Sequence, residues 1–384
     1  MATTEPFRIF FPLGVLAGIS GVSLWPLFFS GVHHSFYPGV MHARLMIEGF
    51  MGAFILGFLG TAGPRLLSAP GFSKSELFTL LSLWVLTVAT HIAERYLWGD
   101  VLFLALLFTF LLLLGRRFQK REDLPPPSFV LVGLGFLSAL AGAMMLVAAG
   151  FGADARLMLL GSSLLYQGFV LYLLLGVGGF LLPRLLQLPR PEFPESRRPT
   201  LEWSRRAAAL SAAGAIILAS FVLEVFGGWQ KSAGGLRFSV VAVLVLWQVP
   251  FHRSPARVTL ARCLKASLLL LLIGFAFPIF WPAQRVAGLH VVFVGGFTLL
   301  TFAVATRVVL GHSGQSDRFS AKLPFLVGTA LLLVAAAVLR VWGDFALAAR
   351  GSMLSQASYL WIVAAALWSW GVLPGVRVPD SDPD

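Results

Sequence analysis

Charge is what this chain has least of. Asp, Glu, Lys and Arg make up 12% of its 384 residues, against about 25% in a soluble globular protein. Apolar residues reach 58%, and the mean hydropathy is +0.84. So few charges cannot cover a water-facing surface of this size, which excludes a soluble globular chain. Cysteine is almost missing as well: the lone Cys263 excludes an internal disulfide and any multi-cysteine metal or iron–sulfur site. There is no Gly-rich nucleotide loop, no Ser-His-Asp arrangement and no Glu–His zinc motif, so soluble-type enzyme chemistry has no foothold. No basic leader or small-residue cleavage site precedes the first apolar stretch, which is therefore expected to be kept as a helix. What remains in excess is positive charge, a formal +12, which marks either an anionic partner or one side of a membrane.

Apolar runs of about 17–25 residues, separated by polar or Gly/Pro breaks, are candidate spanning helices. Twelve occur, at 7–29, 40–63, 77–93, 97–115, 128–150, 157–182, 207–227, 236–250, 263–281, 286–310, 323–341 and 353–373. The eighth is the weakest. The expected fold is an all-α polytopic membrane protein, one transmembrane domain over 1–384 seated in a lipid bilayer. The longest hydrophilic connection, 183–206, holds five prolines and six arginines and reads as an extended cytoplasmic loop. Eighteen Lys and Arg residues fall in loops after even-numbered spans and eight in loops after odd-numbered ones. Cytoplasmic loops collect such residues, so both termini are expected in the cytoplasm. The basic excess is then a topology signal, and no nucleic-acid partner is required.

The chain also repeats itself. At an offset of 119, Glu48-Gly49-Phe50 aligns with Gln167-Gly168-Phe169, Gly57 with Gly176, and Pro64-Arg65-Leu66-Leu67 with Pro183-Arg184-Leu185-Leu186. A weaker third copy ends at Thr306-Arg307-Val308-Val309 and sets His290 opposite Glu48 and Gln167; Trp25-Pro26 recurs as Trp281-Pro282. Twelve spans thus read as three pseudo-repeats of four, near 1–125, 126–255 and 256–384. Glu48, Gln167 and His290 would lie at one depth, toward the outer side and near a pseudo-threefold axis. Polar groups inside a span are costly and are functional candidates by default. The alternative is that they bond to one another and hold the helices together.

Five of seven histidines fall toward the outer side: His33 and His34 in the first outer loop, His42 opening span 2, His91 ending span 3, and His290 in span 10. His252 and His312 fall on the cytoplasmic side. Imidazole ligates haem iron and copper, so a bis-histidine haem between spans 2 and 10 is one reading, with copper on the remaining outer histidines. Arg44 and Arg285 stand close enough in sequence to pair with propionates. Each histidine has a plainer reading as an interfacial hydrogen-bonding group, and His33-His34 as solvated surface. His312 follows Gly311, which suits a helix cap, with the imidazole facing the helix dipole. Arg307 lies within span 10 and needs an acceptor.

Three segments resemble the NnrS family: Pro6-Phe-Arg-Ile-Phe-Phe11, span 2 with His42, Met46, Gly49, Gly57 and Thr61-Ala62-Gly63-Pro64, and span 10 with His290 and Thr306-Arg-Val-Val-Leu-Gly-His-Ser-Gly314. The resemblance extends over essentially the whole chain. It implies a bacterial inner-membrane protein with haem and copper, linked to nitric oxide and nitrosative stress. The three-by-four plan also resembles subunit I of the haem–copper oxidases, an architectural analogy. One departure stands out. The family's second span typically opens His-x-His-Glu-Met, whereas here it reads His42-Ala43-Arg44-Leu45-Met46, without the second histidine and the glutamate. Two further functions compete: a secondary transporter with polar groups near the midplane, and a sensor or assembly subunit without catalysis.

Overall fold

The computed structural model describes residues 5–32, 37–190, 193 and 198–379. Twelve of its helices are long and apolar enough to cross a membrane. We label them α1 (Pro6–Phe29), α2 (Gly39–Leu66), α3 (Lys74–Ile92), α4 (Tyr96–Gln119), α5 (Phe129–Gly150), α6 (Ala155–Leu185), α7 (Leu201–Phe226), α8 (Gln230–Arg253), α9 (Thr259–Phe280), α10 (Pro282–His312), α11 (Pro324–Trp342) and α12 (Leu347–Arg377). No strand occurs among the described residues. In hydrocarbon every backbone N–H and C=O must be satisfied within the chain, and helices do this segment by segment.

The helix ends follow local chemistry. Pro6 and Pro324 occupy the first helical positions of α1 and α11, where a missing N–H costs nothing. Ser73 opens α3 with a capping box: its hydroxyl accepts from Glu76 N at 3.3 Å, and Ser73 N donates to the Glu76 carboxylate at 2.7 Å. Thr200 caps α7 by accepting from Trp203 N at 3.1 Å. That cap starts α7 at Leu201, so Arg205 and Arg206 lie in its opening turns and the hydrophilic connection is shorter than 183–206. The weak eighth span becomes a full helix by reaching back to Gln230. Gly311 does not end α10, which continues to His312; the left-handed residue is Gly314, at φ 67°.

Three helices carry a π-helical segment: Leu45–Met51 in α2, Ser163–Gly168 in α6 and Val291–Thr298 in α10. Such segments are rare and cluster at functional sites. Glu48 and Gln167, aligned at the offset of 119, both fall inside one. His290 stands one residue ahead of the third.

The chain divides into two compact units, residues 1–58 with 256–384 and residues 59–255. Inside the first, α1 packs on α12 and on the π segment of α2, and α11 packs along α12. An aromatic core fills the space between. Phe302 and Trp368 stack at 4.6 Å, Phe11 and Phe54 at 4.7 Å, and Phe50 meets Trp361 edge-on at 5.4 Å. The Trp368 indole N–H donates to Phe302 O and to Thr306 Oγ1, each at 3.0 Å, so the buried ring leaves no polar atom behind.

In the second unit α3 pairs with α4, and α5 with α6. A Cβ on Gly142 of α5 would stand 2.7 Å from Gly161 O of α6, so both backbones meet where neither residue has a side chain. Buried Arg117 ties the end of α4 to the α2–α3 connection. It donates to Pro70 O at 2.9 Å and Gly71 O at 2.8 Å, pairs with Glu76 at 2.8 Å, and lies 4.0 Å over the Phe72 ring.

Candidate functional site

His42 and His290 come together in the first unit. Their rings are nearly parallel, 13° apart, with centroids 6.3 Å apart. That is too far for ring contact. Both are half-buried. His42 Nδ1 lies 2.9 Å from Gly21 O of α1, and His290 Nδ1 lies 2.8 Å from Val286 O, one turn back on its own helix. A carbonyl can only accept, so each Nδ1 carries the proton and each Nε2 keeps its lone pair. Gly21 makes the first bond possible: a Cβ there would stand 2.9 Å from Leu45 Cβ, so the close approach of α1 to α2 requires a glycine. Trp25 and Phe293 set edges against the two rings, at 5.7 Å from His42 and 6.1 Å from His290.

A metal-bound imidazole nitrogen sits about 2.0–2.1 Å from its ion. Two such rings sharing one ion have their centres, each a ring radius further back, about 6 Å apart. The observed spacing fits that arrangement, and the Nδ1 bonds supply the carbonyl support that ligating histidines ordinarily have. The residues present therefore fit a group bound between two axial imidazoles.

A cation outside the expected site residues also acts on this pair. Buried Arg340, in the last turn of α11, is within Coulombic range of both rings. Its guanidinium pairs with Asp344 at 2.9 Å, and Asp344 also meets Arg350 at 3.4 Å. Arg44 is buried two residues beyond His42, and Arg285 is half-buried at the start of the turn leading to His290. The signal for Arg340 was available: a basic residue so close to the end of an apolar run ranks as part of the span.

The other expected residues are placed elsewhere. His33 and His34 lie outside the described residues. His91 is fully buried near the end of α3 in the second unit, and Asp100 of α4 presents a carboxylate within 4.8 Å of its imidazole nitrogen. A Cβ on Gly99 would stand 2.2 Å from the His91 ring, so glycine there makes room for it. Asp100 is not among the residues expected from the sequence, although an acidic residue opening an apolar span is its own signal.

Glu48 is fully buried in the π segment of α2. Gln167 accepts from Arg237 at 3.4 Å, and Arg237 also bonds Ser220 at 3.0 Å and Glu224 at 2.5 Å over the Phe221 ring. The partner of Gln167 is thus Arg237, where the plainer reading has it bonding to Glu48 and His290. His312 meets Glu5 at 2.9 Å and packs on Phe7, so it ties α10 to the start of α1. Arg307 sets its guanidinium 3.3 Å from the centre of the Phe319 ring.

The fold defines a polytopic, all-helical membrane protein, and two of its helices bring His42 and His290 side by side. The chain belongs to the NnrS family: the family model described as NnrS protein matches residues 2–378, nearly its whole length. Among curated proteins, none matches.

Proposed function

We propose that this is a haem protein of the bacterial inner membrane in which His42 and His290 would hold the haem. It would handle electrons or nitric oxide near the outer leaflet. One observation carries the reading: two parallel imidazoles 6.3 Å apart, each with its Nδ1 held by a backbone carbonyl. Bound there, haem would supply one-electron chemistry and a ligand for diatomic gases. The protein's part would be to hold the group between the two imidazoles, fix their tautomers and keep a cation, Arg340, within Coulombic range of both.

The nitric oxide link rests on the family resemblance. Copper has a narrower footing, the buried His91–Asp100 pair, since the family's second histidine and glutamate are Arg44 and Leu45 here. Protein purified in detergent after haem-replete expression should show a Soret band that is lost or strongly weakened in His42→Ala and in His290→Ala. A colourless preparation free of iron and copper would overturn the reading. Glu48-dependent uptake into proteoliposomes by such a preparation would instead establish a transporter.

A further inference from the structure

The second unit holds a cavity of about 510 Å³ where the start of α5, the end of α6, the start of α7 and the end of α8 meet. That is within the roughly 300–1,000 Å³ of small-molecule sites. Its wall is strongly cationic. Arg184, Arg190, Arg198 and Arg206 line it, with Asp123 the one carboxylate lining it among the described residues. Arg206 pairs with Glu202 at 3.1 Å, but that contact is exposed and weak. Trp203 and Trp247 complete the wall, and the Trp203 indole N–H, bonded to Pro125 O at 3.0 Å, fixes that ring in place.

Two details mark a built site and not merely a solvated loop. Ser128 is 6% exposed and lines the cavity, yet its hydroxyl has no hydrogen-bond partner among the described residues. A buried hydroxyl left without a partner is costly, and a ligand atom in the cavity would satisfy it. Gly179 lies next to Ser128. A Cβ there would stand 2.0 Å from Gln248 Oε1, and the missing side chain lets that amide reach the cavity beside Ser128. Arg184 itself belongs to the repeated Pro-Arg-Leu-Leu, a motif that the histidine site leaves unused.

We propose that this cavity binds a phosphate ester with an apolar or aromatic body. Guanidinium forks match phosphate oxygens, the Ser128 hydroxyl and Gln248 amide offer neutral donors, and the tryptophan faces take the body of the ligand. The same chemistry occurs in a soluble nucleoside monophosphate and in an anionic phospholipid headgroup.

Full-length protein in phosphatidylcholine nanodiscs separates the two sources. AMP is titrated by calorimetry, and phosphatidylglycerol adducts are counted by native mass spectrometry with and without AMP. At least one probe should bind with one-to-one stoichiometry, more weakly as salt is raised. Its affinity should fall at least tenfold in Arg184→Gln/Arg206→Gln and stay unchanged in Arg116→Gln, an exposed arginine that does not line the cavity. Should the double variant fail to elute as a single species, Arg190→Gln/Trp247→Ala alters two exposed lining residues and takes its place. Binding of AMP assigns a soluble ester, and a phosphatidylglycerol adduct that AMP does not displace assigns the headgroup. No one-to-one binding of either probe, or equal binding by the cavity variant, overturns the proposal.

Discussion

Arg237 keeps a full charge at 5% exposure, and its neighbours divide that charge among them. Ser220, Gln167 and Glu224 accept its hydrogen bonds, and the Phe221 ring lies 4.0 Å beneath it. Removing the guanidinium alone takes its ion-pair partner from the half-buried Glu224 carboxylate, which costs about 1–3 kcal/mol. Arg237→Met should therefore lower the thermal midpoint in detergent sharply, and Arg237→Met/Glu224→Gln should recover most of the loss. A tolerated single variant would show that the network contributes little. Glu5, just ahead of α1, makes a second residue-scale case. Burial alone would raise its pKa, but hydrogen bonds and charge from His312 and Arg8 outweigh that and hold it below the ordinary 4.5. A depressed carboxyl contributes stability that is present above its unfolded pKa and lost as pH falls through its folded one. The midpoint should drop as pH is lowered past 4.5, and Glu5→Gln should lower it at pH 7 while flattening the acid limb. Parallel acid limbs in both proteins would remove Glu5 from the account.

At the scale of the helix, His42 stands three residues ahead of the π segment of α2, and His290 one residue ahead of that of α10. A π turn changes the angle between the helical stretches on its two sides, so it re-aims the start of a helix without moving its packed remainder. No compositional mark announces it, which is why these segments were invisible in the sequence. The spans themselves were legible, because bilayer thickness sets their length and hydrocarbon their composition. The pairing of His42 with His290 was legible as well, from two related helices each with an outer imidazole. The carbonyls of Gly21 and Val286 that orient the rings were not, since backbone acceptors have no letter. Arg237 and Arg340 fall inside the apolar runs 236–250 and 323–341, but the carboxylates that pair with them, Glu224 and Asp344, could not be read from hydropathy. Close helix contact is testable at Gly142. A Cβ there meets backbone at 2.7 Å, and backbone cannot turn aside as a side chain can. Gly142→Val should cost about 1–3 kcal/mol and reduce the folded yield. Gly133→Val, on the same helix with nothing within 4 Å, should be neutral, and an equal loss in both would point to β-branching and not to the contact.

At the scale of the whole molecule, the small number of charges is also what makes their distribution readable. A chain with 12% charged residues has few Lys and Arg to spare, and their excess after even-numbered spans exerts its effect during insertion. Arg237 and Arg340 count among the eight after odd-numbered spans, although the runs 236–250 and 323–341 include them; both are buried in helices, which leaves those connections still poorer in free cations. The expected orientation places the end of α4 in the cytoplasm and the start of α8 outside. The sequence supplies a clean background for the test, because Cys263 is its only cysteine and is buried. In a Cys263→Ala chain, Gln230→Cys at the exposed start of α8 should react with a membrane-impermeant maleimide in intact spheroplasts. Gln119→Cys, exposed at the end of α4, should react only after lysis. The reverse pattern would invert the protein in the membrane. It would move the histidine pair to the cytoplasmic leaflet and expose the arginine-lined cavity to ligands outside the cell.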